Sequence, residues 1–325
     1  MIRKRVLIAF LALFLIGTSI AGAQELPVDD FFKNPEFTAL QLSPCGKYLA
    51  ALMPVGGHRN IVVLETDGLR NAKRLTGLME QDVSGFFWAN DDVIVFTMDE
   101  DGNEAFGLYA VDRDRKRPMI RTLIEPEAGR SGIKFASVVS DLPDDPDHII
   151  VQWNKRRVSY FNLYKVNVRK GRPVLMTDKL SDVTNWLVDH DGVPRGAFTI
   201  DGLTARFLYR SGPDEEFRTL REFSMLDEGI SPLAFDYDNK TIYVASNIGR
   251  DTNAVYSYDT EKDELGDMLF AHDEVDVGGL IMSRERKKLL GVSYFDDYPR
   301  RHFIDDSERQ VHEGLQAAFP DKVVN

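Results

Sequence analysis

A short phrase returns six times along this chain: a polar turn that runs straight into a β-branched or aromatic strand. It reads 43–47 (SPCGK) before 48–52 (YLAAL), then 88–92 (WANDD) before 93–96 (VIVF). It returns as 144–147 (DDPD) before 148–151 (HIIV), and as 190–192 (HDG) ahead of 195–198 (RGAF). The last two are 236–240 (DYDNK) before 241–245 (TIYVA) and 283–287 (SRERK) before 289–292 (LLGV). Successive turns stand about 45 to 55 residues apart, the spacing of four-stranded blades.

Further strands fill each unit. Segments 61–64 (IVVL), 107–111 (GLYAV), 162–166 (NLYKV) and 255–258 (VYSY) end at Glu65, Asp112, Asn167 and Asp259, acids and amides that favour a tight turn. Edge strands are expected at 73–76 (KRLT), 120–123 (IRTL) and 217–220 (FRTL), with links such as 83–87 (VSGFF) supplying a fourth. One such sheet cannot bury both faces, so the units must stack. A sandwich also spaces short strands evenly, but six like units favour an all-β propeller with six visible blades and an incomplete seventh.

The two ends depart from the repeat. Arg3, Lys4 and Arg5 precede an apolar run over 6–16, and Ala21-Gly22-Ala23 follows. This is the three-part pattern of a signal peptide cleaved after Ala23, which leaves 24–325 as the propeller domain. Gly17, Thr18 and Ser19 cut the run short of the roughly 20 residues a membrane span needs. A Gram-negative periplasm is the expected location. At the other end, 305–318 reads as a helix with Ser307 at its cap, Val311, Leu315 and Ala318 on one face, and Pro320 as its stop. The tail Lys322-Val323-Val324-Asn325 then reads as the start of another strand, so the sequence is expected to stop short of a further blade.

Charge narrows the possible partners. The formal net charge of −12, reached with 40 basic and 52 acidic residues, is poor footing for nucleic acid or an anionic membrane. The mixed run 112–117 (DRDRKR) suits a solvated turn. A single cysteine, Cys45, cannot form an internal disulfide.

Residues that could carry chemistry are scattered. The six histidines, His58, His148, His190, His272, His302 and His312, show no metal-ligand spacing and read as surface or strand-edge residues. The acidic stretch 99–104 (DEDGNE) resembles a cation loop, but its glycine comes too early and helical patterns do not flank it. Glu215-Glu216 and Asp305-Asp306 fall at a turn and a helix start, where acids are expected. Asp296-Asp297 with Tyr298, Arg300 and Arg301 is the cluster to look at first for interdomain or ligand contacts, although a charged loop between blade strands is the preferred reading. No catalytic, cofactor-binding or metal-ligating residue is assigned.

Three stretches together resemble a known family. They are Pro27-Val28-Asp29-Asp30-Phe31-Phe32, the segment 40–50 (LQLSPCGKYLA) and the segment 294–303 (YFDDYPRRHF). They are similar to bacterial prolyl oligopeptidase-like serine peptidases of the dipeptidyl aminopeptidase and acylaminoacyl peptidase type, in which Ser-Pro-Asp-Gly-Lys turns open propeller blades. Cys45 stands where that turn usually has Asp. The resemblance implies a propeller that caps a C-terminal α/β-hydrolase domain, restricts access to its Ser-Asp-His triad and contacts peptide substrate. None of that triad carries over. The sequence has no Gly-x-Ser-x-Gly elbow, and its nearest approach, Gly129-Arg130-Ser131-Gly132, has the wrong spacing and lies between strands. Two functions are therefore expected. One is the non-catalytic propeller of an exported peptidase, with peptide as its partner through a hydrolase domain absent from this chain. The other is a stand-alone TolB-like propeller serving as a periplasmic binding or assembly module.

Overall fold

Continuous apolar runs such as 93–96 give a unit two faces to bury, and hydrogen bonds pair the strands in the order they occur along the chain. The computed structural model describes residues 36–324 apart from 100, 101, 103, 131, 178 and 181. Within them six antiparallel sheets follow one another at 38–74, 83–124, 136–175, 183–224, 230–270 and 277–303. These are blades 1 to 6 of a β-propeller. The first five have four strands and the sixth has three. The expected signal segment, 1–23, lies outside the described residues.

The second strands start at Tyr48, Val93, His148, Pro194, Ile242 and Lys288, each within one residue of the start expected from its turn. Segment 83–87, expected as a link that supplies a fourth strand, is the first strand of blade 2 (Val83–Trp88). The edge strand expected at 73–76 is displaced to Arg70–Arg74, because the chain folds back early through a tight turn at Asp67–Leu69, with Gly68 at φ 70°. Leu75 and Thr76 continue alongside blade 1. The Leu75 amide donates to Ile61 O at 2.8 Å, and Thr76 Oγ1 accepts from the Ile61 amide at 2.9 Å.

Packing between blades shows the period of two directly. In the second strand of blade 2, Ile94 and Phe96 join the apolar cluster shared with blade 1, while Val93 and Val95 join the one shared with blade 3. All four are at most 1% exposed, and each such side chain contributes about 1.5–3 kcal/mol by leaving water. Five apolar clusters link successive blades in this way, and none of the five joins blade 6 to blade 1. First strands lie against first strands in blades 1–2, 3–4, 4–5 and 5–6, which places them nearest the propeller axis. Indole N–H groups peg the joints. Trp88 Nε1 donates to Gln41 O at 3.2 Å, and Trp186 Nε1 donates to Phe161 O at 2.7 Å.

Two features at the chain's end differ from expectation. The helix is present as α1 (Asp306–Ala318), but Asp305, not Ser307, caps it, accepting from the Glu308 amide at 3.1 Å. Ser307 lies two residues too far in, and its hydroxyl donates to Asp305 at 2.5 Å. Residues 322–324 form no strand, so the described residues hold no trace of a seventh blade.

Candidate functional site

Turns at blade ends carry most of the polar side chains singled out above. Among the described residues, no group of three or more His, Cys, Asp and Glu is arranged to hold a metal ion. The histidines serve turns and blade joints. His148 Nδ1 lies 2.8 Å from Asp145, and His190 stacks on Tyr237 at 3.9 Å across the joint of blades 4 and 5. His302 stacks on Phe270 at 4.2 Å, and His58 lies 3.5 Å from Asp82. His272 Nδ1 accepts from the Glu274 amide at 3.1 Å, and His312 meets Phe303 at 5.2 Å. Gly129 and Gly132 belong to facing strands of a small hairpin, so the elbow lookalike does lie between strands. Asp99 and Glu104 flank the loop between the second and third strands of blade 2, where the Glu104 amide donates to Asp99.

The Asp296–Arg301 cluster is a hairpin turn that ties itself together. Asp296 accepts from the Tyr298 amide at 2.9 Å and from Arg300 Nε at 3.0 and 3.1 Å. The Tyr298 amide, and then Arg300, hold the Asp296 carboxyl below its usual range. Beside it, on blade 6, is a cleft of about 760 Å³ lined by Gly278, Ile281, Met282, Ser293 and Arg301. Val292 and Tyr294 pack toward blade 5, so alternation turns Ser293 and Phe295 to the opposite face.

A second cleft of about 760 Å³ lies between blades 4 and 5, lined in part by Glu215, Glu216 and Asp238, which the sequence marked only as turn residues. Arg195, Arg210 and Arg218 line it with Asp238, Tyr258 and Asp259. Arg195 is buried and fully engaged: it donates to Asp189 at 3.2 Å, Tyr209 Oη at 3.0 Å and Arg210 O at 2.8 Å. Arg218 crosses the joint to Thr260 O at 3.0 Å. Burial, with Asp263 adding to it, pushes the Tyr258 hydroxyl up to about 12, so it stays protonated. The fixed donors and acceptors of this cleft suit reversible binding, and its Thr241 hydroxyl is held by Asp238 at 2.8 Å.

The 112–117 run is an exposed turn over 114–117, as expected, but not at its first two residues. Asp112 and Arg113 are 11% and 14% exposed at the side chain, not solvated. Asp112 accepts from Arg121 at 2.6 Å, and the Arg113 guanidinium lies 3.7 Å above the Tyr48 ring, bracing blade 2 on blade 1.

Comparison with known proteins places this geometry. No family model matches the chain. Dipeptidyl aminopeptidase BIII of Pseudoxanthomonas mexicana is 27% identical over 319 residues, a span of 94% of this chain and 43% of the relative. A structure of prolyl endopeptidases superposes with a TM-score of 0.56 at 12% identity, covering 83% of this chain and 41% of that one. The β-propeller domain of the Trilobed protease from Pyrococcus furiosus, described as having an open velcro topology, gives 0.50 at 14% identity and covers 83% of this chain and 85% of that domain. The chain is homologous to dipeptidyl aminopeptidase BIII, and its fold is that of the propellers in these two peptidase structures. It spans less than half the length of the curated relative it matches.

Proposed function

We propose that this chain serves as the non-catalytic propeller of an exported, periplasmic peptidase, admitting and positioning peptide substrates for a hydrolase domain. The observation that carries the reading is the 27% identity to a dipeptidyl aminopeptidase along 94% of the chain. The architecture suits the task. A ring of stacked sheets walls a passage lined by first strands, whose exposed backbone edges and side chains can hold an extended peptide while a folded protein is too wide to pass. The chemistry of the described residues points the same way, because their polar clusters are built of fixed ion pairs and turn hydrogen bonds.

The test is to titrate a fluorescently labelled oligopeptide into the purified chain and to follow a dipeptidyl 4-nitroanilide in parallel. Saturable peptide binding with no release of nitroaniline is expected. Turnover blocked by a serine-directed inhibitor, or no peptide binding at all, would overturn the proposal. Export is tested separately: amino-terminal sequencing of protein from the periplasm should begin at Gln24.

A further inference from the structure

Two hairpins on one face of blade 3 gather cations in a chain that is otherwise strongly acidic. The first is the insertion between blades 2 and 3, Glu127–Gly129 paired with Gly132–Lys134. The second is the end of the long second strand of blade 3, His148–Arg157, with its turn into Tyr160–Asn167. Links between blades and turns from second to third strands lie on the same face of a propeller, so the two hairpins stand side by side.

Their packing is specified by single residues. Asn154 is fully buried and joins them: its amide donates to Ile133 O at 3.0 Å and Val158 O at 2.8 Å, and its oxygen accepts from the Phe135 amide at 2.8 Å. Gly132, at φ 116°, brings its backbone so close that a Cβ there would lie 2.7 Å from Val158 Cγ1. Phe135 and Phe161 add an edge-to-face contact at 5.6 Å.

The cations on this platform are unequally engaged. Lys134 pairs with Glu127 at 2.9 Å and Arg157 with Asp182 at 3.4 Å. Arg130 and Arg156 are exposed and have no acidic partner among the described residues, and the Lys155 ammonium rests 4.5 Å over the Trp153 ring. Three exposed cations thus lie on the two joined hairpins.

We infer that this ridge is a docking surface for a short acidic stretch of an extended peptide. The surroundings set the length of the partner. Glu127 and Asp182 border the ridge, and the chain's net charge is −12, so a long uniform polyanion such as nucleic acid would run onto repelling surface. A few consecutive carboxylates would meet only the cations.

The inference does not rest on the peptidase reading, because binding is measured on this chain without hydrolysis. A fluorescein-labelled decapeptide with four consecutive glutamates should bind the full chain at low ionic strength and weaken steeply with added salt. The triple variant Arg130→Glu, Lys155→Glu, Arg156→Glu should lose at least tenfold in affinity. Lys179→Glu, which removes an exposed cation outside the ridge, should change affinity less than twofold. Circular dichroism on each variant verifies folding. Equal loss in both variants, no loss in the triple variant, or equal binding of an oligonucleotide of matched charge would overturn the inference. A neutral peptide that still binds the triple variant would leave the channel proposal standing by itself.

Discussion

At the residue scale, buried polar side chains replace ladder bonds where strands separate. In blade 1, Asn60 donates to His58 O and Leu78 O, both at 3.0 Å, and accepts from the Leu78 amide at 2.8 Å and Thr76 Oγ1 at 3.0 Å. Blade 3 repeats the device: Asn162 donates to Thr177 O at 2.9 Å, and Thr177 Oγ1 accepts from the Leu163 amide at 2.9 Å. Asn60→Leu strands several buried groups and should cost about 2–4 kcal/mol in urea unfolding, whereas Thr177→Ser should cost well under half of that. His302 gives a pH dependence. Water lost under the Phe270 ring, and then the Arg309 charge, lowers its pKa below the usual value. The folded chain therefore binds a proton less readily than the unfolded one, so stability is complete above about pH 6.5 and declines as pH falls below it. His302→Phe keeps the stack and should flatten the thermal midpoint between pH 7 and 5. Little of this was legible in the sequence. A strand asparagine reads equally as a break, and only tertiary packing shows that the groups around Asn60 and Thr177 have no other partner.

At the element scale, the turn-and-strand phrase was enough to locate every second strand, because a period of two and a turn signal are local properties. The misreadings arose where a distant element decides. Asp112 and Arg113 look like part of a solvated charge run until Arg121 and Tyr48 close over them. Ser307 looks like a cap until Asp305 takes the position, drawn by Arg286 and Lys288 on the neighbouring turn. Lys288, Ser307 and the Glu308 amide hold the Asp305 carboxyl far below the usual carboxylate range. This depressed value means that the anchoring of α1 is complete above about pH 4 and fails only as pH falls well below it. Asp305→Ala should speed hydrogen exchange across α1 while leaving blades 1 to 5 unchanged. Gly291 is the element-scale counterpart in blade 6. A Cβ there would lie 2.3 Å from the His302 carbonyl oxygen, so Gly291→Ala should force apart the second and third strands. The expected signature is loss of amide protection over 288–303.

At the scale of the whole molecule, the five apolar joints among the described residues include none between blade 6 and blade 1, and one ion pair among those residues reaches between non-adjacent blades. Arg284, in the first turn of blade 6, donates to Asp141 in the corresponding turn of blade 3. Because these turns belong to blades three apart, the pair spans the ring on one face. Arg284→Ala should raise exchange at 141–147 and 283–287 together, a coupled response that two independent surface turns would not give. The channel reading depends on the same ring, and hydrogen exchange read by mass spectrometry tests it most directly. With a saturating unlabelled oligopeptide, protection is expected along first strands such as Ile230–Phe235 and Val277–Ser283, and the peptide's mass should be unchanged throughout. Protection confined to the outer strands, or peptide fragments in the same spectra, would contradict a propeller that receives peptides without cutting them.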